Sequence, residues 1–241
     1  MDSQRLLECA MDVGEALLRS GAEIYRVEDS IGRILNAYGA RRADVFAIPS
    51  VIIASLTMPG ENQITQTRRI LSSATDLNAL TQVNDLCRRI CAHRPEPEQI
   101  DAELKAILAR KPYPWFVRWA DYVFIALAFT VFFGGGWPEG LAAGAVGGLL
   151  FLAMEGLKML GAAVIAALTL LAARLVPELR TDKVVIGNIM LLIPGVELTN
   201  GMRDLFSGDV LAGLLHIGEA VFLATIIALG AVFILSLGGM V

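Results

Sequence analysis

Apolar residues set the first rhythm of the chain. Leu6, Leu7, Ala10, Val13, Gly14, Leu17 and Leu18 recur at helical spacing and stop at Ser20-Gly21, which predicts one amphipathic helix. Ser20-Gly21-Ala22-Glu23 then has the S-x-x-E spacing of a capping box. A second helix is predicted behind it, with Ile24, Val27, Ile31, Ile34, Leu35 and Tyr38 on its inner face and Gly39 as its stop. Residues 43–58 are rich in Val, Ile, Phe and Ala and are followed by the turn Pro59-Gly60-Glu61-Asn62, so two or three antiparallel strands are expected over 43–69. Helical spacing returns at Leu77, Leu80, Val83, Leu86, Cys87, Ile90 and Cys91, and again at Ile100, Leu104, Ile107 and Leu108 after Pro95 and Pro97. Residues 1–110 therefore read as an α+β domain with helices on a small antiparallel sheet.

Past residue 110 the pattern changes. Residues 111–116, Lys-Pro-Tyr-Pro-Trp-Phe, read as a stiff aromatic linker at a bilayer surface. The remaining residues, 117–241, are dominated by apolar runs. Because a hydrocarbon layer about 30 Å thick takes about 20 helical residues to cross, they are expected to form an all-α polytopic bundle of about five transmembrane helices. The predicted spans are 117–134, 140–154, 159–176, 184–204 interrupted at 194–195, and 210–237. Gly140, Gly144 and Gly148 fall four apart on one helix face, a spacing that lets a second helix pack closely.

Composition sharpens this division. The chain has 241 residues, 55% hydrophobic and 18% charged, and 29 of its 44 Asp, Glu, Lys and Arg lie in residues 1–116, so a wholly soluble protein is excluded. Net charge is −4 with no basic excess in either part, which argues against a nucleic-acid partner. The first 30 residues lack a continuous apolar core, so no signal peptide is expected and the N-terminal domain is placed in the cytoplasm. Positive-inside counting supports this in part: Arg118 favours it, whereas Arg174, Arg180 and Lys183 fall in a loop expected outside, against Lys158 and Arg203 inside. Cys9, Cys87 and Cys91 are odd in number without CxxC spacing, so they read as buried thiols.

The chemistry concentrates late in the chain. His216 and Glu219 lie three apart, about 10 and 15 Å along the last predicted helix, where an ionisable group normally faces a partner or an internal path. Pro194-Gly195 interrupts the fourth predicted span, and Glu197, Thr199, Asn200, Arg203 and Asp204 follow at once. Broken helices with polar neighbours build solute sites in many transporters, and Asn188 is placed to add an amide to that path. Asp121 and the pair Glu155 and Lys158 read as boundary residues, and Glu15, Glu23, Arg26 and Glu28 as a capped, solvated surface. No G-x-S-x-G, phosphate-binding glycine loop or H-E-x-x-H occurs, and His93 is the one histidine before residue 117, so no catalytic group, cofactor or metal is assigned.

Gly14-Glu15, the 20–28 segment, Gly135-Gly136-Trp137 and above all 192–204, Leu-Ile-Pro-Gly-Val-Glu-Leu-Thr-Asn-Gly-Met-Arg-Asp, with Gly208-Asp209 and Gly213, resemble the threonine/serine exporter family over essentially the whole chain. The resemblance implies a multi-pass bacterial inner-membrane exporter of small carboxylate-bearing solutes. It is similar to the large subunit of a split branch with a proposed dicarboxylate (succinate) role. On that reading Arg203 and the amides near Pro194 and Gly195 contact a carboxylate, and Glu219 carries a proton. A separately encoded small membrane subunit, an oligomer, the lipid bilayer and the carboxylate solute are then the expected partners. Two other readings remain open: a membrane-anchored hydrolase-like enzyme, and a regulatory or scaffold subunit of a membrane complex.

Overall fold

The computed structural model describes residues 2–238, apart from 73, 111–112, 155–160 and 177. Glu155, Lys158, the start of the third predicted span and the first two linker residues lie outside the described residues. In chain order the elements are α1 (Ser3–Arg19), α2 (Ile24–Ala37), β1 (Arg42–Ile48), β2 (Val51–Thr57), β3 (Ile64–Arg69), α3 (Leu77–His93) and α4 (Pro97–Leu108). Then come α5 (Trp115–Phe132), α6 (Trp137–Met154), α7 (Gly161–Leu175), α8 (Thr181–Ile189), α9 (Gly195–Ser207) and α10 (Val210–Gly238). They group into two compact units, Met1–Lys111 with Gly195–Ala220, and Pro112–Pro194 with Val221–Val241.

In the first unit the local sequence accounts for the element ends. Asp2 opens α1 by accepting from the Gln4 amide at 3.1 Å. Asp76 opens α3, its carboxylate accepting from Asn78 and Ala79. The strands form one antiparallel sheet in the order β1-β2-β3, registered by Val45 opposite Ala54 and Ala54 opposite Gln66. Alternation along β2 sends Ile52, Ala54 and Leu56 into the core and leaves Ile53 outside. That inner face meets α1 and α2, and one cluster joins Leu7, Met11, Leu17, Ile31, Leu35, Ile52, Leu86, Ile90 and Ala212. The inclusion of Ala212 ties the start of α10 to a core otherwise made from the first 104 residues.

The second unit is helical. A Cβ on Gly140, Gly144 or Gly148 would meet Val131, Val123 or Trp119 at 3.0 to 3.3 Å, so α6 lies close along α5 through these positions. Gly187 brings α8 equally near: a Cβ there would overlap the Thr130 hydroxyl and sit 2.8 Å from the Ala126 carbonyl oxygen.

The expected organisation, an α+β domain followed by a five-helix membrane bundle, is overturned. Among the described residues two helical stretches are long and apolar enough to cross a membrane, Trp115–Phe132 and Val210–Val232, and the apolar Trp137–Ala153 is shorter. The fourth predicted span dissolves into α8, of 9 residues, and α9, of 13, separated around Pro194. At 1.5 Å per residue α8 and α9 reach only about 14 and 20 Å, short of the roughly 30 Å layer. A hydropathy window sums apolar residues without knowing which neighbour they face. In α9 Asn200, Arg203 and Asp204 are bonded to the α1–α2 junction inside the first unit and need no bundle around them.

Candidate functional site

The site grows from the junction of α1 and α2. Ser20 closes α1, with its hydroxyl donating to the Ala16 carbonyl at 2.8 Å, and Gly21 turns the chain at φ +90°, where a side chain would be strained. The expected capping box does not form: Glu23 precedes α2 in extended conformation and makes no capping hydrogen bond through its side chain. A return strand of backbone seals the turn, the Ala74 amide donating to Arg19 O (2.9 Å) and the Asp76 amide to Ser20 O (3.1 Å).

Three residues of α9 reach this junction. Asn200 Nδ2 donates to Gly21 O at 3.0 Å, Arg203 Nη1 donates to Glu23 Oε1 at 2.5 Å, and Asp204 Oδ1 accepts from the Ile24 amide at 3.0 Å. Asp204 is fully buried, and its second oxygen lies 2.9 Å from His216 Nδ1. With that oxygen as the acceptor, Nδ1 carries a ring proton, and Nε2 is the ring nitrogen left without a partner in this contact. Spacing explains the convergence: Asn200 and Asp204 are one helical turn apart and share a face. Gly208, at φ +97°, and the Asp209 amide donating to Asp204 O (2.9 Å) fold α10 back on α9. A Cβ on Gly213 would sit 2.8 Å from the Gly201 carbonyl oxygen, so the two helices cross backbone to backbone.

Between these elements lies a cavity of about 120 Å³, entirely within the first unit. Its polar lining is Thr75, Glu197, Asn200, His216 and Glu219; Leu18, Gly21, Ala22, Pro49, Ala74 and Val196 complete it. Among the described residues, no lysine or arginine lines it. Electrostatics around it are uneven. Burial pushes the Glu23 carboxyl up, but its own backbone amide, the Arg203 hydrogen bond and the charges of Arg26 and Arg203 outweigh this and hold it below the ordinary range. Glu28, which accepts from the Ala47 amide at 2.6 Å, is pushed up by burial and by Asp209 and Asp204. Asp209 is raised too, by burial and then by Asp204.

Of the residues singled out in the sequence, Glu197, Asn200, His216 and Glu219 share the cavity wall. Arg203 and Asp204 stand behind it, bonded to Glu23, Ile24 and His216. Thr199 donates back to Gly195 O and is exposed, and Gly195 has open space where a Cβ would stand. Asn188 and Pro194 belong to the second unit. Asn188 is fully buried there, its Nδ2 donating to Ala143 O (3.2 Å) and Val184 O (3.0 Å), with no partner for Oδ1 among the described residues. Glu23 was read as solvated surface and is instead buried, 4% exposed, against Arg203. Nothing local could have signalled this, because the partners are 180 positions apart. Leu18, Gly21, Ala74 and Thr75 were likewise not among the candidate site residues, since only the folded turn brings them to the cavity.

Exposed apolar helices of membrane-crossing length, in a chain whose first unit carries a polar cavity, are features of a membrane protein. The family model described as "Putative threonine/serine exporter" matches residues 8–238. The chain belongs to the threonine/serine exporter family, a family of membrane transport proteins. It is also similar to a "Probable threonine/serine exporter" of Mycobacterium tuberculosis (strain ATCC 25618 / H37Rv), at 24% identity over 241 residues and 95% of this chain. The chain spans about half the length of that curated relative, 46% of it. No solved structure matches.

Proposed function

We propose that the chain is the solute-recognising part of an amino-acid exporter for threonine and serine, and that the cavity of the first unit is where the solute is held. The observation that carries this reading is the character of the lining. Glu197 and Glu219 bring two carboxylates, His216 offers Nε2, and Asn200 has its amide nitrogen engaged by Gly21 O, which leaves its oxygen. With the two carboxylates and the Asn200 oxygen as acceptors, the wall suits a group that donates hydrogen bonds and carries positive charge, so an α-ammonium and a side-chain hydroxyl fit it. The first-turn amides of α9, which have no intrahelical partners, supply donors for the α-carboxylate beside Val196 and Glu197. A dicarboxylate such as succinate brings only acceptors and two negative charges, and this wall disfavours it. Arg203, tied to Glu23, stands behind the wall as a positioning residue for α9. Glu219, exposed on one side and lining the cavity on the other, is the carboxylate best placed to exchange a proton with solvent during a transport cycle.

Equilibrium binding of labelled threonine and serine to the full-length chain in lipid nanodiscs tests the proposal. Threonine and serine should compete with one another and succinate should displace neither. Replacing both Glu197 and Glu219 with Gln should weaken threonine binding by about tenfold or more, as loss of charge-assisted hydrogen bonds does. Displacement by succinate, or a double variant that binds as tightly as the parent, refutes it.

A further inference from the structure

We infer that His216 is the residue that reads the side-chain hydroxyl of the solute, and that Asp204 acts through it as a positioning residue. The inference rests on the reading of the first unit's cavity as the solute site, and assigns one group of the solute to one atom of the wall. His216 lines the cavity, and its side chain is 13% exposed. The Nδ1 edge of its ring is turned to Asp204, which stands behind the wall. The other edge, with Nε2, is the one left for the cavity, and among the described residues Nε2 makes no hydrogen bond. The ring is held from two directions. Asp204 is fully buried, and its other oxygen accepts from the Ile24 amide at 3.0 Å, so the carboxylate cannot turn without breaking a buried bond. The root of the side chain is packed as well, since a Cβ on Gly201 of α9 would come within 3.1 Å of the His216 Cβ. An imidazole fixed at one nitrogen and at its root presents the other nitrogen in one place and has little rotamer freedom left to lose on binding.

Chemistry then selects the group. The ammonium of an amino acid only donates and its carboxylate only accepts, so each pairs with Nε2 in one protonation form of the ring and opposes it in the other. A hydroxyl does both. It donates to a bare Nε2 and accepts from Nε2–H, so it alone stays bonded in every form of the ring. The rest of the wall divides accordingly: Glu197 and Glu219 attract the ammonium by charge, the first-turn amides of α9 take the carboxylate, and the hydroxyl falls to His216. Thr75, also on the wall, carries a hydroxyl of its own and is the rival for this role. A site that pairs a fixed nitrogen with a solute hydroxyl discriminates against the analogue without it, because the nitrogen is then covered and unpaired.

Equilibrium binding to the full-length chain in lipid nanodiscs tests this, with threonine set against α-aminobutyrate, which lacks only the hydroxyl, and serine against alanine. The parent should prefer each hydroxyl-bearing solute by about tenfold or more. His216→Asn keeps a donor for Asp204 and removes Nε2, so it should bring both ratios to within about twofold of one. Asp204→Ala should lower them too. Asp204→Asn should restore them, because a hydroxyl accepts from Nε2–H as readily as it donates to a bare Nε2. Loss of a merely structural tie would weaken both members of each pair alike and leave the ratios standing. A parent that binds α-aminobutyrate as tightly as threonine overturns the inference, as do ratios unchanged in His216→Asn or lowered instead in Thr75→Val. Should His216→Asn bind no solute at all, the parent's ratios and the two Asp204 variants decide. A parent that binds neither threonine nor serine refutes the cavity reading and this inference with it; one that binds both without preferring them over α-aminobutyrate and alanine refutes only the role given to His216.

Discussion

Removing the carboxylate of Asp204 should loosen the tie between α9 and the N-terminal helices by a predictable amount. Asp204 is 0% exposed and serves two donors, the Ile24 amide at 3.0 Å and His216 Nδ1 at 2.9 Å. Asp204→Ala leaves both without acceptors, and each buried orphan costs about 1–3 kcal/mol. The His216 side chain is 13% exposed and recovers part of its loss from water, so the total falls near 2–4 kcal/mol, roughly 30- to 700-fold in a local opening equilibrium. Asp204→Asn keeps an oxygen for the Ile24 amide and turns its amide nitrogen to an imidazole that accepts in its other tautomer, so its effect should stay below about tenfold. Hydrogen exchange on the full chain in nanodiscs, read on peptides covering residues 22–30 and 195–207, measures both. Unchanged exchange in the alanine variant, or an asparagine variant as damaged as the alanine one, refutes the assignment of Asp204 as the acceptor that binds the two segments.

Acid should act on the Arg203–Glu23 link with a definite sign. Glu23 is held below its ordinary range in the folded chain, so its contribution is present above the ordinary glutamate value near 4.5 and is lost as pH falls through the lowered value. Glu28 and Asp209 are raised, so the penalty they impose sets in as pH rises through their raised values and is relieved below. Exchange protection of 195–207 should therefore be greatest at mildly acidic pH and collapse at more acidic values, and Glu23→Gln should abolish the acid-side collapse; an unaltered profile sinks this account. Gly213→Ala, whose Cβ would stand 2.7 Å from Leu205 and 2.8 Å from the Gly201 carbonyl oxygen, should force α9 and α10 apart at about 1–3 kcal/mol, seen as faster proteolysis after residue 195. In the second unit Gly187→Ala should lower the thermal aggregation temperature more than Gly140→Ala, because Gly187 meets the Ala126 carbonyl oxygen at 2.8 Å and Gly140 meets a movable Val131 methyl at 3.1 Å. Equal effects would contradict the packing described for α5, α6 and α8.

The periodic stretches were legible from the chain. Leu6 to Leu18, Ile24 to Leu35 and Leu77 to Ile90 repeat at helical spacing and bury those positions, because in a helix the inward side recurs every three to four residues whatever lies against it. The Pro194-Gly195 break was legible too, since a proline without an amide and a glycine without a side chain end a helix locally. Four residues of the cavity wall, Glu197, Asn200, His216 and Glu219, could be picked out as polar groups in an apolar setting. Their neighbours could not. Ser20-Gly21-Ala22-Glu23 carries a capping-box pattern that the fold does not use, because Ser20 closes α1 and α2 begins only at Ile24, which leaves the Glu23 carboxylate to Arg203 and Arg26.

Sequence alone therefore decided which stretches repeat at helical spacing and which polar residues stand out among apolar neighbours, because those properties follow from backbone geometry and from side chains a few residues apart. Tertiary structure decided the rest: that α9 turns its polar side to the α1–α2 junction and its apolar side outward, that Ala212 joins a core built from the first 104 residues, and that fewer of the described helices are long and apolar enough to cross a membrane than the apolar count suggested. An amphipathic helix can bury either of its faces, and the choice depends on which distant surface satisfies its hydrogen bonds.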